Sequence, residues 1–337
     1  MEHIRIGNRL DVSRIGLGTW AIGGWMWGGT DEARSIATIR AAIERGVTLI
    51  DTAPVYGFGR SEEILGKALA APGLRAQVSI ASKVGVAWKD GRPYRDASPA
   101  HIRREIEASL RRLRTEVIDL CQVHWPDPDT PLEQTARTLE QLRAEGKIRL
   151  IGVSNYDAQQ MEAFRAIAPL ASVQSPYNLF ERQIEAEVLP YAARTGLTVL
   201  SYGALCRGLL SGTMTSERTF AGDDLRNVDP KFRGARLRQY LEAVAALDAL
   251  ARERFGKPVL ALALRWVLER GATIALWGAR SPEQLDPIGQ VEGWHLDADT
   301  MADIEAILAR CAAQPVAPDF MAPPVRSAVE PAARGAA

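Results

Sequence analysis

Short apolar runs alternate with longer amphipathic stretches along most of this chain. Each apolar run has the length and continuity of a strand buried on both faces, and each amphipathic stretch repeats its apolar residues with the period of a helix. The predicted strands are residues 14–18, 48–51, 78–82, 117–123, 148–153, 172–174, 198–201 and 273–276. The predicted helices are residues 31–45, 61–70, 98–112, 131–145, a stretch ending near 168, 184–195, 237–255, 258–270 and a stretch from about 282.

Residues that start and stop helices occur at the boundaries of these stretches. Thr30 and Ser61 can cap helix N-termini, and Gly46 and Gly146 stand where glycine commonly ends a helix. Eight strands that each precede helical sequence predict the α/β class and, within it, a (β/α)8 TIM barrel.

Two further elements extend this repeat. Residues 3–12 alternate polar and apolar positions around Gly7-Asn8, which predicts an N-terminal β-hairpin that plugs one end of the barrel. An extra C-terminal helix is predicted at residues 297–312. Because 337 residues suit one barrel with insertions, we expect a single barrel domain over residues 1–312.

Composition and charge favour a cytoplasmic protein that binds neither nucleic acid nor membrane. The 41 Lys and Arg residues balance 41 Asp and Glu residues, and no run has the length of a signal peptide or of a membrane span. Cys121, Cys206 and Cys311 lie far apart without a CxxC pair, so neither a disulfide framework nor a zinc site is indicated. The oligomeric state stays open.

Polar side chains stand at the C-terminal ends of most predicted strands, where barrels of this kind carry their functional groups. They are Asp51 and Tyr56 after strand two, Lys83 after strand three, His124 after strand four, Ser154 and Asn155 after strand five, Gln174 after strand six and Tyr202 after strand seven. Each one alone has a structural explanation, such as a capping Asp or a core histidine. Together they predict one functional site, because ionisable groups that converge at a barrel mouth are costly unless they pair.

The combination of Tyr, Lys, Asp and His favours proton donation to a carbonyl oxygen. The ammonium of Lys83 would favour the anion of Tyr56 and so lower the phenol's pKa from about 10. Asp51 would pair with Lys83, and His124 would orient or polarise the substrate oxygen. A metal site is the weaker alternative, since the four histidines show neither HxH nor HExxH spacing.

Six of the eight tryptophans follow predicted strands, whereas core tryptophans would scatter over helices and strands alike. A substrate pocket is predicted to be walled by Trp20, Trp25, Trp27, Phe58, Trp88 and Trp125, with Trp277 nearer the cofactor. Such a wall favours a carbonyl substrate with a flat apolar face, which is an aldehyde, a ketone or a sugar. For Trp25 and Trp27 the alternative is a GGWMWGG loop that packs on itself.

Two polar or irregular segments remain. Residues 213–236, called the lid segment below, lack clear periodicity and are predicted to form a mobile lid, with a disordered surface loop as the alternative. Residues 313–337 form an Ala- and Pro-rich tail. Whether this tail, which includes Phe320-Met321, covers the substrate pocket stays open.

Several motifs resemble those of the aldo-keto reductase superfamily. They are GLGTW at 16–20, DTAPVYG at 51–57 with SEEILGKAL behind it, the Ser82-Lys83 pair, VHWPD at 123–127, GKIRLIGVSN at 146–155, and Gln174 followed by YNL. The resemblance covers about residues 4–312, and it is closest to the bacterial branch that also includes the β subunits of voltage-gated potassium channels. The family binds NADPH without a Rossmann domain, which agrees with the absence of a GxGxxG fingerprint after the first strand.

The resemblance implies a catalytic tetrad and a nicotinamide site. The tetrad would be Asp51, Tyr56, Lys83 and His124, with Tyr56 as the general acid. The residues that would bind the nicotinamide carboxamide are Ser154, Asn155 and Gln174, and Tyr202 would stack on the ring.

The resemblance also implies how the rest of NADP(H) would be held. The pyrophosphate loop, residues 203–209, would wrap the phosphates through Gly203, Ala204, Leu205, Arg207, Gly208 and Leu209. Gly278, Arg280 and Gln284 match the adenosine end, and a pair between Arg280 and the 2′-phosphate would favour NADP over NAD. The chain departs from the pattern at Pro287-Ile288, where many relatives carry a Glu-Asn pair near the adenine, which weakens the implied adenine recognition.

The sequence thus predicts an NADPH-dependent carbonyl reductase acting on a small molecule. Hydride would pass to the carbonyl carbon while Tyr56 protonates the oxygen. Two alternatives stay open. One is a redox-sensing regulatory subunit that binds NADP(H) and turns over slowly, and the other is alcohol oxidation by the same residues.

Overall fold

Eight parallel strands close into a barrel in a computed structural model that describes residues 1–7, 9–312, 315–316 and 321–329. In chain order the strands are β1 (His3–Ile6), β2 (Leu10–Ser13), β3 (Ile15–Gly18), β4 (Leu49–Asp51), β5 (Ser79–Val84), β6 (Val86–Lys89), β7 (Arg92–Arg95), β8 (Ile118–Val123), β9 (Ile148–Ser154), β10 (Ser172–Pro176), β11 (Thr198–Tyr202) and β12 (Thr273–Gly278). Eight of these strands form the barrel in the order β3, β4, β5, β8, β9, β10, β11, β12, and β12 pairs with β3 to close it. The other four form two antiparallel pairs, β1 with β2 and β6 with β7. The predicted (β/α)8 barrel is confirmed.

Helices cover the outside of this barrel. They are α1 (Trp20–Gly23), α2 (Glu32–Glu44), α3 (Arg60–Ala68), α4 (Pro99–Leu113), α5 (Leu132–Ala144), α6 (Ala158–Arg165), α7 (Val188–Thr195), α8 (Gly234–Phe255), α9 (Val259–Leu268), α10 (Ala298–Cys311) and α11 (Arg326–Val329). None of the helices in the described part of the chain is long and apolar enough to cross a membrane.

Several element boundaries differ from the sequence-based prediction. β5 continues past residue 82 and includes Lys83, and β12 continues to Gly278, so these residues lie within strands rather than after them. The stretch Pro282–Gln290 is a 3-10 helix with Pro287 inside it rather than an α-helix. The β6–β7 hairpin and the short helix α1 were not predicted, and each directly follows a strand of the barrel.

The N-terminal hairpin closes the lower end of the barrel, as expected. Ile6, Leu10 and Val12 belong to one buried cluster with residues that point into the barrel. The inward-facing members of that cluster are Leu49, Ala81, Leu120, Leu200 and Ile274. Burying each large aliphatic side chain contributes about 1.5–3 kcal/mol, so this plug stabilises the barrel from inside. Asn8 of the predicted turn lies outside the described residues.

The part of the tail that the structure describes contacts the barrel. The backbone N–H of Arg95 donates to the carbonyl of Pro324 at 2.9 Å, and the backbone N–H of Ser327 donates to Asp129 at 2.7 Å. Phe320 lies outside the described residues. The division between a barrel domain and a tail at residue 312 stays a prediction.

Candidate active site

Strands β4 and β5 bring a carboxylate and an ammonium together at the mouth of the barrel. Lys83 Nζ lies 2.6 Å from Asp51 Oδ1 and donates to the carbonyl of Thr52 at 3.0 Å. The side chains of Lys83 and Asp51 are 0% and 4% exposed. An isolated charge at this depth would cost several kcal/mol, so the two groups depend on each other. The expected pairing of Asp51 with Lys83 is present.

The second carboxylate oxygen of Asp51 is also bound by side chains of the barrel interior. The amide of Gln174 donates to Oδ2 at 2.7 Å, and the amide of Gln122 does so at 3.3 Å. Gln174 was singled out from the sequence for a different contact, and here its amide holds Asp51. Gln122 was missed, although a Gln within the apolar strand β8 was a usable signal.

Tyr56 and His124 lie next to this ion pair. Lys83 Nζ is 5.0 Å from the centre of the Tyr56 ring, and the Tyr56 and His124 rings are 5.8 Å apart at 81°. The amide of Asn155 donates to the backbone carbonyl of His124 at 3.0 Å, and the hydroxyl of Tyr202 donates to Asn155 Oδ1 at 3.0 Å. The four residues of the predicted tetrad are thus close together, and Asn155 and Tyr202 adjoin them.

Burial controls the protonation of these groups. The pKa of Tyr56 is well above its ordinary value because of burial and the nearby Asp51 charge. The expected lowering of this pKa by Lys83 is therefore not observed, because burial and the Asp51 charge raise it instead. Burial also lowers the pKa of Lys83, against the effect of Asp51, and burial with the Lys83 charge holds the pKa of His124 well below its usual range. The phenol is protonated and the imidazole neutral at neutral pH.

A cleft of about 1040 Å³ opens above these residues. Most of the predicted site residues line it: Trp20, Trp25, Trp27, Asp51, Tyr56, His124, Trp125, Ser154, Asn155, Gln174, Tyr202, Gly203, Ala204, Leu205, Arg207, Gly208, Gly278, Arg280 and Gln284. Lys83 lies beneath Tyr56 instead, and Leu209 is fully buried in the core. Phe58 and Trp88 lie behind Trp25, with Phe58 ring distances of 4.9 Å to Trp25 and 5.8 Å to Trp88.

A model of the Aldo/keto reductase family matches residues 14–309. The chain belongs to this family. Aldo-keto reductase YhdN of Bacillus subtilis (strain 168) is 56% identical over 331 residues, which are 98% of this chain and 100% of the relative. NADH-specific methylglyoxal reductase of Escherichia coli (strain K12) is 36% identical over 85% of this chain and 91% of the relative.

Solved structures show the same relationship. The glycerol dehydrogenase AKR11B4 from Gluconobacter oxydans is 51% identical, with a TM-score of 0.86, over 95% of this chain and 99% of that chain. An aldo-keto reductase from Klebsiella pneumoniae in complex with NADPH is 31% identical, with a TM-score of 0.72, over 91% and 94% of the two chains. The predicted family is confirmed, and the protein is an oxidoreductase of that family. The closer likeness to potassium-channel β subunits stays a prediction.

The GGWMWGG loop of this aldo-keto reductase is bonded to the lid segment. Asp223 accepts from the backbone N–H groups of Met26 at 2.8 Å and Gly28 at 3.0 Å, and the N–H of Leu225 donates to the Met26 carbonyl at 3.0 Å. The loop therefore contacts another segment rather than only itself. Asp223 carried no local sequence signal, because its partners are about 200 residues away. The mobility of the lid segment stays a prediction.

The end of the cleft that is predicted to bind adenosine carries several arginines. Arg280 donates to the carbonyls of Trp27 at 2.9 Å and Gly29 at 2.7 Å, and Arg34 and Arg226 line the same end. Burial and the nearby Arg226 charge lower the pKa of Arg280. A guanidinium has five N–H donors, so Arg280 keeps donors for an anion. Arg226 pairs with Asp224 at 2.6 Å and Arg34 with Glu283 at 3.3 Å, whereas the guanidinium of Arg280 contacts backbone carbonyls, which leave its positive charge for a phosphate group. Sequence reasoning missed Arg34 and Arg226.

Close backbone contact positions the loop that carries Tyr56. Gly57 has a φ of +66°, and a Cβ added there would collide with the carbonyl oxygen of Gly23 in α1. A Cβ on Gly23 would lie 2.6 Å from the carbonyl oxygen of Tyr56. Glycine is therefore needed at both positions for Tyr56 to reach the cleft.

We expect Gly57→Ala to lower carbonyl turnover by about 10²-fold, because a displacement of about 1 Å at a catalytic group has an effect of that size. Gly73→Ala is the matched control, since Gly73 also has a positive φ, +79°, but an added Cβ meets nothing within 4 Å. In both variants backbone strain should lower the free energy of unfolding by about 1–2 kcal/mol, which urea unfolding measures. Equal activity in the two variants would contradict the positional role of Gly57.

Proposed function

We propose that this aldo-keto reductase uses NADPH to reduce the carbonyl group of an aldehyde, a ketone or a sugar, with Tyr56 as the general acid. The observation that carries this proposal is the buried Asp51–Lys83 pair directly beneath the Tyr56 ring, with His124 facing the same phenol. When bound, NADPH supplies a hydride to the carbonyl carbon. Tyr56 then has the task of donating its phenolic proton to the carbonyl oxygen.

The neighbouring residues support this proton transfer in distinct ways. Lys83 supplies a positive charge that stabilises the phenolate left after Tyr56 gives up its proton. Asp51 keeps the ammonium of Lys83 in place through the 2.6 Å contact. His124, neutral because of its lowered pKa, can offer a ring N–H to the carbonyl oxygen and orient the substrate.

The cleft suits a dinucleotide as well as a substrate. Ser154 and Asn155 line it beside Tyr202, where a nicotinamide carboxamide would find polar partners. The pyrophosphate loop begins with Gly203 at a φ of +66° and has Gly208 at +94°, so its backbone can approach phosphates closely. The solved relative from Klebsiella pneumoniae binds NADPH, whereas the relative from Escherichia coli is NADH-specific. Residues at the adenosine end must therefore decide the preference.

We expect Arg280→Met to reduce the ratio of kcat/KM for NADPH over NADH by about 10- to 150-fold. This range corresponds to the roughly 1.5–3 kcal/mol of a hydrogen bond to a charged group. NADH serves as the internal control, since losing the contacts to Trp27 and Gly29 affects both cofactors alike. Arg137→Met, on the exposed face of α5, is the control for charge removal. An unchanged ratio would show that Arg280 does not bind the 2′-phosphate.

The substrate side of the cleft is largely aromatic. Trp20 stacks on Tyr56 with a ring distance of 6.1 Å, and Trp25 and Trp125 line the cleft beside it. Residues 321–324 of the tail also line the cleft. This surface supports a carbonyl compound with a flat apolar face, although two relatives are named for glycerol and methylglyoxal, which are small and polar.

The purified protein should be titrated with NADPH and with NADH, followed by tryptophan fluorescence. Consumption of NADPH is then measured with 4-nitrobenzaldehyde, glyceraldehyde and methylglyoxal at matched concentrations. Tight binding with turnover supports the reductase, and a preference for the aromatic aldehyde supports the apolar pocket. Tight binding without turnover on any carbonyl would overturn the proposed reaction and favour a sensor.

A further inference from the structure

Four buried charged side chains lie beneath the pyrophosphate loop, and the proposed chemistry uses none of their charges. This buried charge cluster consists of Glu181, Arg207, Asp229 and Lys231. Lys231 Nζ is 2.9 Å from Glu181 and 3.5 Å from Asp229, and Arg207 Nη1 is 2.9 Å from Asp229 and 3.3 Å from Glu181. All four side chains are at most 6% exposed. Two positive and two negative charges balance within the cluster.

The buried charge cluster joins three segments that are distant in sequence. Glu181 comes from the loop after β10, Arg207 from the pyrophosphate loop after β11, and Asp229 and Lys231 from the lid segment. The amide of Asn178 adds a link, since it donates to Glu181 at 2.7 Å and to the carbonyl of Gly203 at 2.9 Å. The pyrophosphate loop is thus held at its first residue and at Arg207.

The backbone that the cluster holds is strained. Cys206 has a φ of +46° and Arg207 a φ of +53°, a left-handed conformation that non-glycine residues rarely adopt. Such strain persists only where surrounding contacts outweigh it, and it is concentrated at functional sites. Burial raises the cost of charging Glu181, but Arg207 and Lys231 outweigh it and hold its pKa below the ordinary value. The contacts to Glu181 and Asp229 tie Arg207, and with it this turn, to two other segments.

The buried charge cluster is also connected to the part of the lid segment that contacts the GGWMWGG loop. Asp229 and Lys231 follow directly on the stretch with Asp223 and Leu225, which is bonded to the loop at Met26. The N–H of Asp229 donates back to the carbonyl of Leu225 at 3.0 Å. A change in the cluster would therefore affect both the pyrophosphate loop and the lid segment.

We propose that the buried charge cluster is a positioning device that sets the pyrophosphate loop in its binding conformation before NADPH arrives and holds the lid segment over it. This inference rests on the proposed function, which places the NADPH phosphates at this loop. The four residues act through the backbone they fix, so the effect of losing them falls on cofactor binding and release rather than on proton transfer.

The test is the double variant Asp229→Asn with Lys231→Met, which removes one charge of each sign and leaves the Arg207–Glu181 pair balanced. We expect the Kd for NADPH to rise by about tenfold or more, with faster release measured by stopped-flow fluorescence, while kcat at saturating NADPH does not fall. The control is Glu133→Gln with Arg137→Met, which removes an exposed ion pair of α5 with exposures of 58% and 65%. The control should bind NADPH like the wild type.

The outcomes separate this inference from the proposed function. Failure of the wild-type protein to bind NADPH would overturn the proposed function. Wild-type binding together with an unchanged Kd and release rate in the folded double variant would overturn the cluster's role alone.

Hydrogen exchange of the cofactor-free wild type keeps the test decisive if the double variant does not fold. The N–H groups of Cys206, Gly208 and Leu210 donate to carbonyls within the loop at 2.6, 2.9 and 3.2 Å. Slow exchange of these amides without NADPH supports a loop that is set in advance. Fast exchange that slows only when NADPH is added would overturn the proposal.

Discussion

Tyr56→Phe is expected to lower carbonyl turnover by about 10²–10⁴-fold, the contribution that a positioned general acid usually makes. The substitution removes only the hydroxyl, so the ring keeps its contacts with Trp20, Lys83 and His124. NADPH affinity should remain nearly intact, because the phenol's proposed partner is the substrate oxygen. Turnover is measured with an aromatic aldehyde at saturating NADPH, and cofactor affinity by fluorescence titration.

Tyr191→Phe is the matched control for Tyr56→Phe. Its hydroxyl lies on α7 and donates to Glu162 at 2.7 Å, away from the cleft, so activity should not change.

The raised pKa of Tyr56 also predicts the pH dependence of the wild type. An acid with a raised pKa keeps its proton to higher pH, so reduction should not slow between neutrality and about pH 9 for loss of this proton. A Tyr56→Phe variant with wild-type turnover would refute the role.

Lys83→Met is expected to damage both stability and turnover. It leaves the Asp51 carboxylate buried without its cation, which costs about 3–5 kcal/mol of the free energy of unfolding. Turnover should fall as well, because the phenolate that Tyr56 becomes loses its stabilising charge. Urea unfolding measures the first effect, and NADPH consumption in the folded fraction measures the second.

A double variant separates these two effects. Asp51→Asn combined with Lys83→Met removes both buried charges, so most of the lost stability should return. Turnover should stay low, since the ammonium is still missing. Recovery of turnover together with stability would show that Lys83 serves only the fold. Wild-type stability in Lys83→Met alone would contradict the dependence of the buried pair on both partners.

The order and closure of the barrel were predictable because they depend on local patterns. Each strand is a short apolar run and each helix an amphipathic one, so their alternation is visible without any distant contact. The convergence of Asp51, Tyr56, Lys83 and His124 followed from the same pattern, since parallel strands place their C-terminal ends at one mouth. Strand lengths were less certain, because a charged residue such as Lys83 can lie inside a strand when an oppositely charged side chain, here Asp51, pairs with it in the barrel.

The candidate cofactor-binding residues were identified from the family motifs, because the hydrophobic pattern alone does not indicate them. They placed Ser154, Asn155, Tyr202 and the pyrophosphate loop at one cleft, and the structure brings them there. They did not reveal the contacts that bind these parts together, such as Asp223 with the loop at Met26. A contact between two segments that are far apart in the chain cannot be predicted from local sequence patterns.

The sequence by itself determined the barrel, its hairpin plug and the four polar groups at its mouth, because strand periodicity and strand ends are local properties. Only the tertiary structure decided how those groups are charged. The pKa of Tyr56 rises because of burial and the nearby Asp51 charge, and burial arises only when distant segments pack. The same holds for Arg207 and Arg280, whose side chains contact partners that only the folded chain brings near.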